Sequence, residues 1–403
     1  MSIKFAIIKE RKNPPDKRVV LPPQACKKAV EQFPEAEFVV ESSDIRIYKD
    51  KEYEELGVSV VTDVQDCDVL LGVKEVPIEA LIPNKKYFFF SHTIKKQPYN
   101  RKLLQAVLDK NIELYDHEVI KDSKGQRLVA FGRYAGIVGA YNGFRAWGLK
   151  FGSYNLPKAE NLHNQQELIA ELCNIKNEIP NIKILLTGKG RVGNGAKEML
   201  DAMGIKKVSS RAFRSQSFST PVYCQIDVMK YNKRKDGRKL GKKDFYQNPE
   251  AYKSNFMRFA KVTDFYIAGH FYGDKAPFLY TKMDVKHPSF SIKVVADVSC
   301  DIDGPVATTI RPSTIANPIY GYDPKTGDET DYTFEGAIAV MAVDNLPCEL
   351  PRDASEGFAE MFLKHVIPAF FDNDKEGILE RACMTRHGKL TPAFSYLQDY
   401  VDG

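Results

Sequence analysis

Apolar residues in the first 120 positions fall into short runs separated by polar turns, and the period of each run predicts its element. Residues 5–8, 37–41, 68–73, 87–90 and 112–115 have the length and apolar content of buried strands. Residues 22–33 carry Ala25, Cys26, Ala29 and Val30 on one helical face, and residues 101–109 are amphipathic at the same period. Strands alternating with helices predict an α/β fold, a parallel sheet with helices on both faces. In such a sheet functional groups gather at the carboxyl ends of the strands.

The rhythm resumes further along the chain. A helix rich in Gly and Ala spans 134–149, a segment rich in Asn, Gly and Pro at 150–163 reads as a linker, and a helix spans 165–176. The run 184–187 then feeds Gly188, Gly190 and Gly193, spaced GxGxxG, and a helix whose apolar face is Ala196, Met199, Leu200 and Met203. Strand, glycine turn and helix in this order are the context of a dinucleotide fingerprint. Gly188 permits the turn, Gly190 the approach of a pyrophosphate, and Gly193 the close packing of helix on strand. Arg191 and Val192 open that helix, whose N-terminus favours phosphate. Residues 265–269 and 292–298 predict two more strands, ending at Ala268, Gly269 and His270 and at Asp297, with Asp301 in the next turn. Residues 337–342 form a last apolar strand before a helix at 355–363, after which the chain is expected to close back on its first domain.

An NAD site places a carboxylate about 20 residues after the first glycine. Here the chain reads Val208, Ser209, Ser210, Arg211. Small polar residues followed by Arg211 and Arg214 suit a 2′-phosphate and hence NADP. A changed loop geometry is the alternative, and Asp227 then offers a displaced ribose ligand. NAD and NADP both stay open.

Composition narrows the class. A chain of 403 residues with 43% hydrophobic content fills two cores. The balance of 58 basic and 53 acidic residues, +5 in all, favours anionic small molecules over nucleic acid. No run is long enough to span a membrane, and no signal peptide opens the chain. Seven scattered cysteines without metal spacing predict reduced thiols, a cytoplasmic location and no metal site. The basic run 230–243 is expected to be a solvated hairpin or loop.

Ionisable groups stand where the first sheet predicts them. Lys74 and Glu75 follow one strand, His92 another, and Glu118 a third. Arg18 and Arg127 offer donor forks for carboxylates, with Lys95 and Gln97 adding a charge and an amide.

Together the motifs KRVVLPP, VKEV, SHTIKKQ, AFGRYAGIVGA, GKGRVGNGA, ADVSCDIDGP and VDNLPCELPRDASEGF resemble the saccharopine dehydrogenase (L-lysine-forming) branch of the alanine dehydrogenase and transhydrogenase superfamily, in its order. The resemblance implies two Rossmann-like domains with parallel sheets and the active site in the cleft between them. The substrate domain is then discontinuous, 1–134 with 320–403, around a dinucleotide-binding domain at 135–319. It further implies Lys74 and His92 as the acid-base pair, with Glu75 and Glu118 as nearby carboxylates. Arg18, Lys95, Gln97 and Arg127 would position a substrate carrying carboxylates. Asn345, Leu346 and Pro347 join the cofactor-binding residues, and either Asp297 or Asp301 faces the nicotinamide. The implied reaction is NAD(P)-dependent oxidation of a C–N bond, saccharopine giving L-lysine and 2-oxoglutarate. Alternatives are an alanine dehydrogenase-like or lysine-ketoglutarate reductase-like enzyme and, in another class, a non-catalytic protein that senses a dinucleotide or metabolite.

Overall fold

Six parallel strands make the first sheet: β1 (Ile3–Ile7), β2 (Ala36–Glu41), β3 (Ser59–Val61), β4 (Val69–Lys74), β5 (Lys86–Phe90) and β6 (Glu113–Asp116). Their order is β3-β2-β1-β4-β5-β6, the doubly wound arrangement in which the winding reverses between β1 and β4. The computed structural model describes residues 2–273 and 275–403. They form two compact units, Met1–Phe131 with Pro351–Gly403, and Gly132–Leu350. The strand expected at 68–73 lies one residue later, so Lys74 ends β4. Val30, expected in the core, is 44% exposed, because the helix Pro23–Gln32 turns Ala25, Cys26 and Ala29 inward instead.

The C-terminal segment completes this first unit. Ser355, in the helix Pro351–His365, accepts the Val19 N–H at 3.0 Å, and Phe358 and Phe362 of that helix pack on His117.

The second unit holds β7 (Lys183–Thr187), β8 (Lys206–Lys207), β9 (Val222–Ile226), the antiparallel hairpin β10 (Asn232–Arg234) and β11 (Tyr252–Ser254), then β12 (Phe265–Ala268), β13 (Val294–Asp297), β14 (Ile319–Tyr322), β15 (Glu329–Thr330) and β16 (Ile338–Met341). The large sheet runs β15-β14-β16-β13-β12-β7-β9-β8. It is parallel from β8 to β16, while β14 and β15 add an antiparallel edge. A further small hairpin, β17 (Thr385–Arg386) with β18 (Lys389–Leu390), lies in the first unit.

Three expectations change. β14 and the fully buried β16 complete the second sheet, so residues 320–350 lie in the second unit and the division falls after Leu350 rather than at 319/320. Residues 150–163 lie inside that unit as well, with Leu156 and Ala159 in its core, and do not link two domains. The strand beside β7 is β9, because β8 is a two-residue edge piece. The helix Gly132–Phe151 owes its glycines to packing: a Cβ on Gly136 would come within 1.9 Å of the Val192 carbonyl oxygen.

Candidate active site

At the winding reversal of the first sheet, Glu10 follows β1 and is buried. Its Oε1 accepts the Val73 N–H at 2.6 Å and its Oε2 the Lys74 N–H at 2.9 Å, which ties the end of β4 to the loop after β1. Burial, reinforced by the charge of Asp16, pushes Glu10 up to about 8. Asp16 and Arg18 form a second buried pair. Arg18 donates from Nε at 3.0 Å and from Nη2 at 2.6 Å to the two carboxylate oxygens, and its guanidinium lies 4.2 Å from the centre of the Phe131 ring. Burial would raise Asp16, yet the charge and hydrogen bonds of Arg18 hold it down to about 2, with Lys74 adding to the same effect. Glu75 is ion-paired to Lys12.

The ends of β5 and β6 converge on Asp116, which is fully buried. It accepts the N–H of Ser91 at 2.8 Å, of His92 at 3.1 Å and of Glu118 at 2.7 Å, together with the Ser91 hydroxyl. His92 adopts a left-handed conformation, φ 56°, held by these bonds. Its Nδ1 then lies 3.8 Å from Glu118 Oε2, and Lys95 Nζ lies 3.8 Å from Glu118 Oε1. Burial opposes ionisation of Glu118, but His92, Lys95 and Arg127 outweigh it and hold the carboxyl down to about 2. Arg127 lies 5.4 Å from the centre of the Phe90 ring. The structure therefore gathers His92, Lys95, Glu118 and Arg127 into one cluster. Lys74 ends the neighbouring strand, in register with Phe90. Gln97 Oε1 accepts from the Tyr99 hydroxyl at 2.5 Å.

In the second unit, Gly188 has φ +96°, and a Cβ there would come within 2.1 Å of the Gly269 carbonyl oxygen. Gly193 packs on Gly188 itself, so close that a methyl group added to Gly193 would meet the Gly188 oxygen at 2.3 Å. Gly190, at the N-cap of the helix Arg191–Ala202, has nothing within 4 Å of that position. Two glycines are thus locked by protein and the third opens on space, which fits a pyrophosphate held by the helix N-terminus. A cavity of about 530 Å³ lies there, lined by Gly190, Val192, Asp227, Lys242, Gly269 and His270 among others. Asp227 follows β9, and its Oδ2 lies 3.2 Å from Lys242 Nζ and 3.8 Å from Lys189 Nζ. His270 Nδ1 is hydrogen-bonded to Thr187 Oγ1 at 3.0 Å, and burial pushes the ring down to about 4, so it is neutral near pH 7.

The matches to known sequences follow this geometry. Residues 6–138 match the N-terminal domain of alanine dehydrogenase/PNT, and residues 159–392 match its C-terminal domain. The chain belongs to the alanine dehydrogenase/PNT family. It is 26% identical to an alpha-aminoadipic semialdehyde synthase of Arabidopsis thaliana, over 97% of this chain and 41% of that protein. The chain thus spans less than half the length of that relative. It is also 26% identical to the NAD(+), L-lysine-forming saccharopine dehydrogenase of Schizosaccharomyces pombe, over 86% of this chain and 88% of the other. A solved L-alanine dehydrogenase shares the fold, with a TM-score of 0.65 at 16% identity, over 99% of this chain and 100% of that one.

Within this alanine dehydrogenase/PNT chain several expected site residues do not line the cavity at the glycine turn. Ser209 caps the helix Ser210–Ser215 by accepting the Ala212 N–H at 3.1 Å, and neither it nor Arg211 lines the cavity, because they follow the edge strand β8. Asp297 is buried and accepts from the N–H groups of Ser299 and Cys300 and the hydroxyls of Ser299 and Thr309, so its carboxylate organises its own loop. Burial raises it despite those bonds. Asp301 is half-buried in the turn that follows. Leu346 and Pro347 are buried in the short turn Leu346–Glu349, Leu346 against Gly139, and Asn345 precedes it.

Other groups at these sites escaped sequence reading. Glu10 and Asp116 are single carboxylates whose importance lies in the backbone they bind. His117, between two site residues in sequence, points the other way: its Nε2 is 2.9 Å from the Gly72 carbonyl oxygen, and burial pushes it down to about 3. The sequence DHE at the end of β6 was the available signal for Asp116. Lys242 and Tyr231 had none, since the basic run hid them.

Proposed function

We propose that this chain is an NAD(P)-dependent dehydrogenase acting on a C–N bond, with saccharopine as substrate and L-lysine and 2-oxoglutarate as products. The observation that carries this reading is the cluster of His92, Glu118, Lys95 and Arg127 beside the strand that Lys74 ends. Near end-to-end similarity to an L-lysine-forming saccharopine dehydrogenase supports the same substrate.

The residues fit the steps. A nicotinamide dinucleotide bound at the glycine turn would supply the redox chemistry, as acceptor of the hydride on the carbon that bears the secondary amine. Gly188, Gly190 and Gly193, with the helix N-terminus at Arg191, hold its pyrophosphate. Asp227 follows the strand next to the fingerprint strand, where a carboxylate accepts ribose hydroxyls and repels a 2′-phosphate, so NAD is the favoured cofactor. Oxidation leaves an imine, water adds to it, and the carbinolamine collapses to a primary amine and an oxo acid. Lys74 and His92 move the protons of those steps, and Glu118 lies beside the His92 ring. Arg18, Lys95 and Arg127 bind the carboxylates of the substrate. The seven free cysteines fit a reducing compartment such as the cytoplasm.

An assay that follows reduced nicotinamide tests this directly, with NADH or NADPH, 2-oxoglutarate or pyruvate, and lysine or ammonia. Oxidation only with NADH, lysine and 2-oxoglutarate is expected. Turnover with pyruvate and ammonia would move the chain to the alanine dehydrogenase reading. Dinucleotide binding without turnover in any combination would favour the sensing role.

A further inference from the structure

The basic run 230–243 is not a loose loop. β10 and β11 pair from Asn232 with Ser254 to Arg234 with Tyr252, and Arg234 is salt-bridged to both Asp236 and Asp244. The Tyr252 hydroxyl donates to Asp244 at 2.6 Å, and Phe245 packs edge-on against Tyr252 at 5.1 Å. These contacts hold the helix Lys242–Gln247 in place, and two of its residues, Lys242 and Tyr246, line the dinucleotide cavity.

Beside that cavity lies a second one of about 330 Å³, and the two share Val228, Tyr231, Tyr246, His270 and Phe271. Its surroundings are aromatic, and the rim is built from both sides: Tyr246 comes from the helix between β10 and β11, and Phe271 from the loop after β12. They are 60% and 84% exposed, which leaves their faces open to a flat ring that stacks on them. Asn232 and His270 also line this cavity, and both are more than nine-tenths buried. Asn232 Oδ1 and His270 Nε2 are without a hydrogen-bond partner among the described residues, a deficit that a ligand with both donors and acceptors on a flat ring would relieve after a small side-chain adjustment.

We propose that the hairpin segment 230–254 is an adenine-binding element: the aromatic cavity takes a purine ring stacked on Tyr246 and Phe271, while the Lys242–Asp227 pair flanks the attached ribose. This rests on the dinucleotide reading of the second unit and adds which residues read the base. Lys242 pairs with Asp227 at 3.2 Å and so keeps the carboxylate beside the place where ribose hydroxyls are bound.

The test uses the full chain and three probes in calorimetry: AMP, ADP-ribose and NMN. Wild-type protein is expected to bind AMP and ADP-ribose, and Tyr246→Ala to weaken both about tenfold, in the range that loss of one base-stacking ring produces. NMN, which carries no adenine, is expected to bind both proteins alike. Phe271→Ala, at an exposed loop position, should repeat the loss. Unchanged AMP and ADP-ribose affinity in both variants, with binding by the wild type intact, overturns the role of the hairpin and leaves the dinucleotide reading standing. Wild-type protein that binds none of the three probes overturns both.

Discussion

His92 Nδ1 and Glu118 Oε2 face each other at 3.8 Å across the ends of two neighbouring strands, and the buried carboxylate of Asp116 holds the backbone of both residues. The separation is too long for a hydrogen bond and short enough for a strong charge interaction. Neither atom has a hydrogen-bond partner among the described residues.

Lys74→Met and His92→Gln are each expected to lower turnover between about 10²- and 10⁴-fold, the range for loss of a general acid or base. NADH affinity, measured by fluorescence titration, should stay within about twofold, since the dinucleotide fingerprint belongs to the second unit. Full activity in both variants would refute the acid-base assignment.

Gly190 and Gly188 should separate binding from folding. Gly190→Leu places a side chain in open space at an ordinary backbone angle, so the protein should keep its melting temperature and lose NADH affinity. Gly188→Ala must adopt φ +96° and meets the Gly269 oxygen. It should lose about 2–4 kcal/mol in urea unfolding. The reverse pattern would reject the assignment of Gly190 to the pyrophosphate.

Asp227→Ser keeps a side-chain oxygen for the Met229 N–H that Asp227 now receives at 3.2 Å and removes the negative charge. Lys189 and Lys242 would then be free to meet a 2′-phosphate. Steady-state kinetics should show kcat/KM falling for NADH and rising for NADPH, each by about tenfold, the scale of one lost or gained charge-assisted bond. An unaltered preference would argue against Asp227 as the ribose ligand.

Glu349 is buried and accepts from Asn142 Nδ2 at 2.9 Å; burial pushes it up to about 8 from 4.5. Above pH 4.5 the unfolded chain loses this proton while the folded chain keeps it, so stability from this group falls as pH rises from about 4.5 to 8. Glu349→Gln retains an oxygen acceptor and cannot ionise. Calorimetry should find the variant about 3 °C or more higher in Tm than wild type at pH 8.5, with the gap closing at pH 4.5. An equal difference at both pH values would place the effect in packing rather than titration.

Much of the architecture was legible because periodicity and strand ends are local. The apolar runs mark β1, β4, β5 and β7, and Lys74, His92 and Glu118 sit at the predicted carboxyl ends because a parallel sheet puts all such ends on one side. Ser209 and Arg211 follow the edge strand because chain order is not spatial order: β8 comes next in sequence, yet β9 lies beside β7. The last apolar strand was assigned to the wrong sheet for the same reason. Its composition shows that it is buried but not against what, and pairing with β13 and β14 supplies the answer.

The sequence alone determined the α/β class, the glycine turn and the identity of the ionisable groups, since each depends on residue type and spacing over a few neighbours. Tertiary structure decided which of those groups meet. Asp116 acts on His92, Glu10 on Lys74, and Lys242 on Asp227 across 24, 64 and 15 positions, and no local pattern encodes contacts between elements that only the folded sheet brings together.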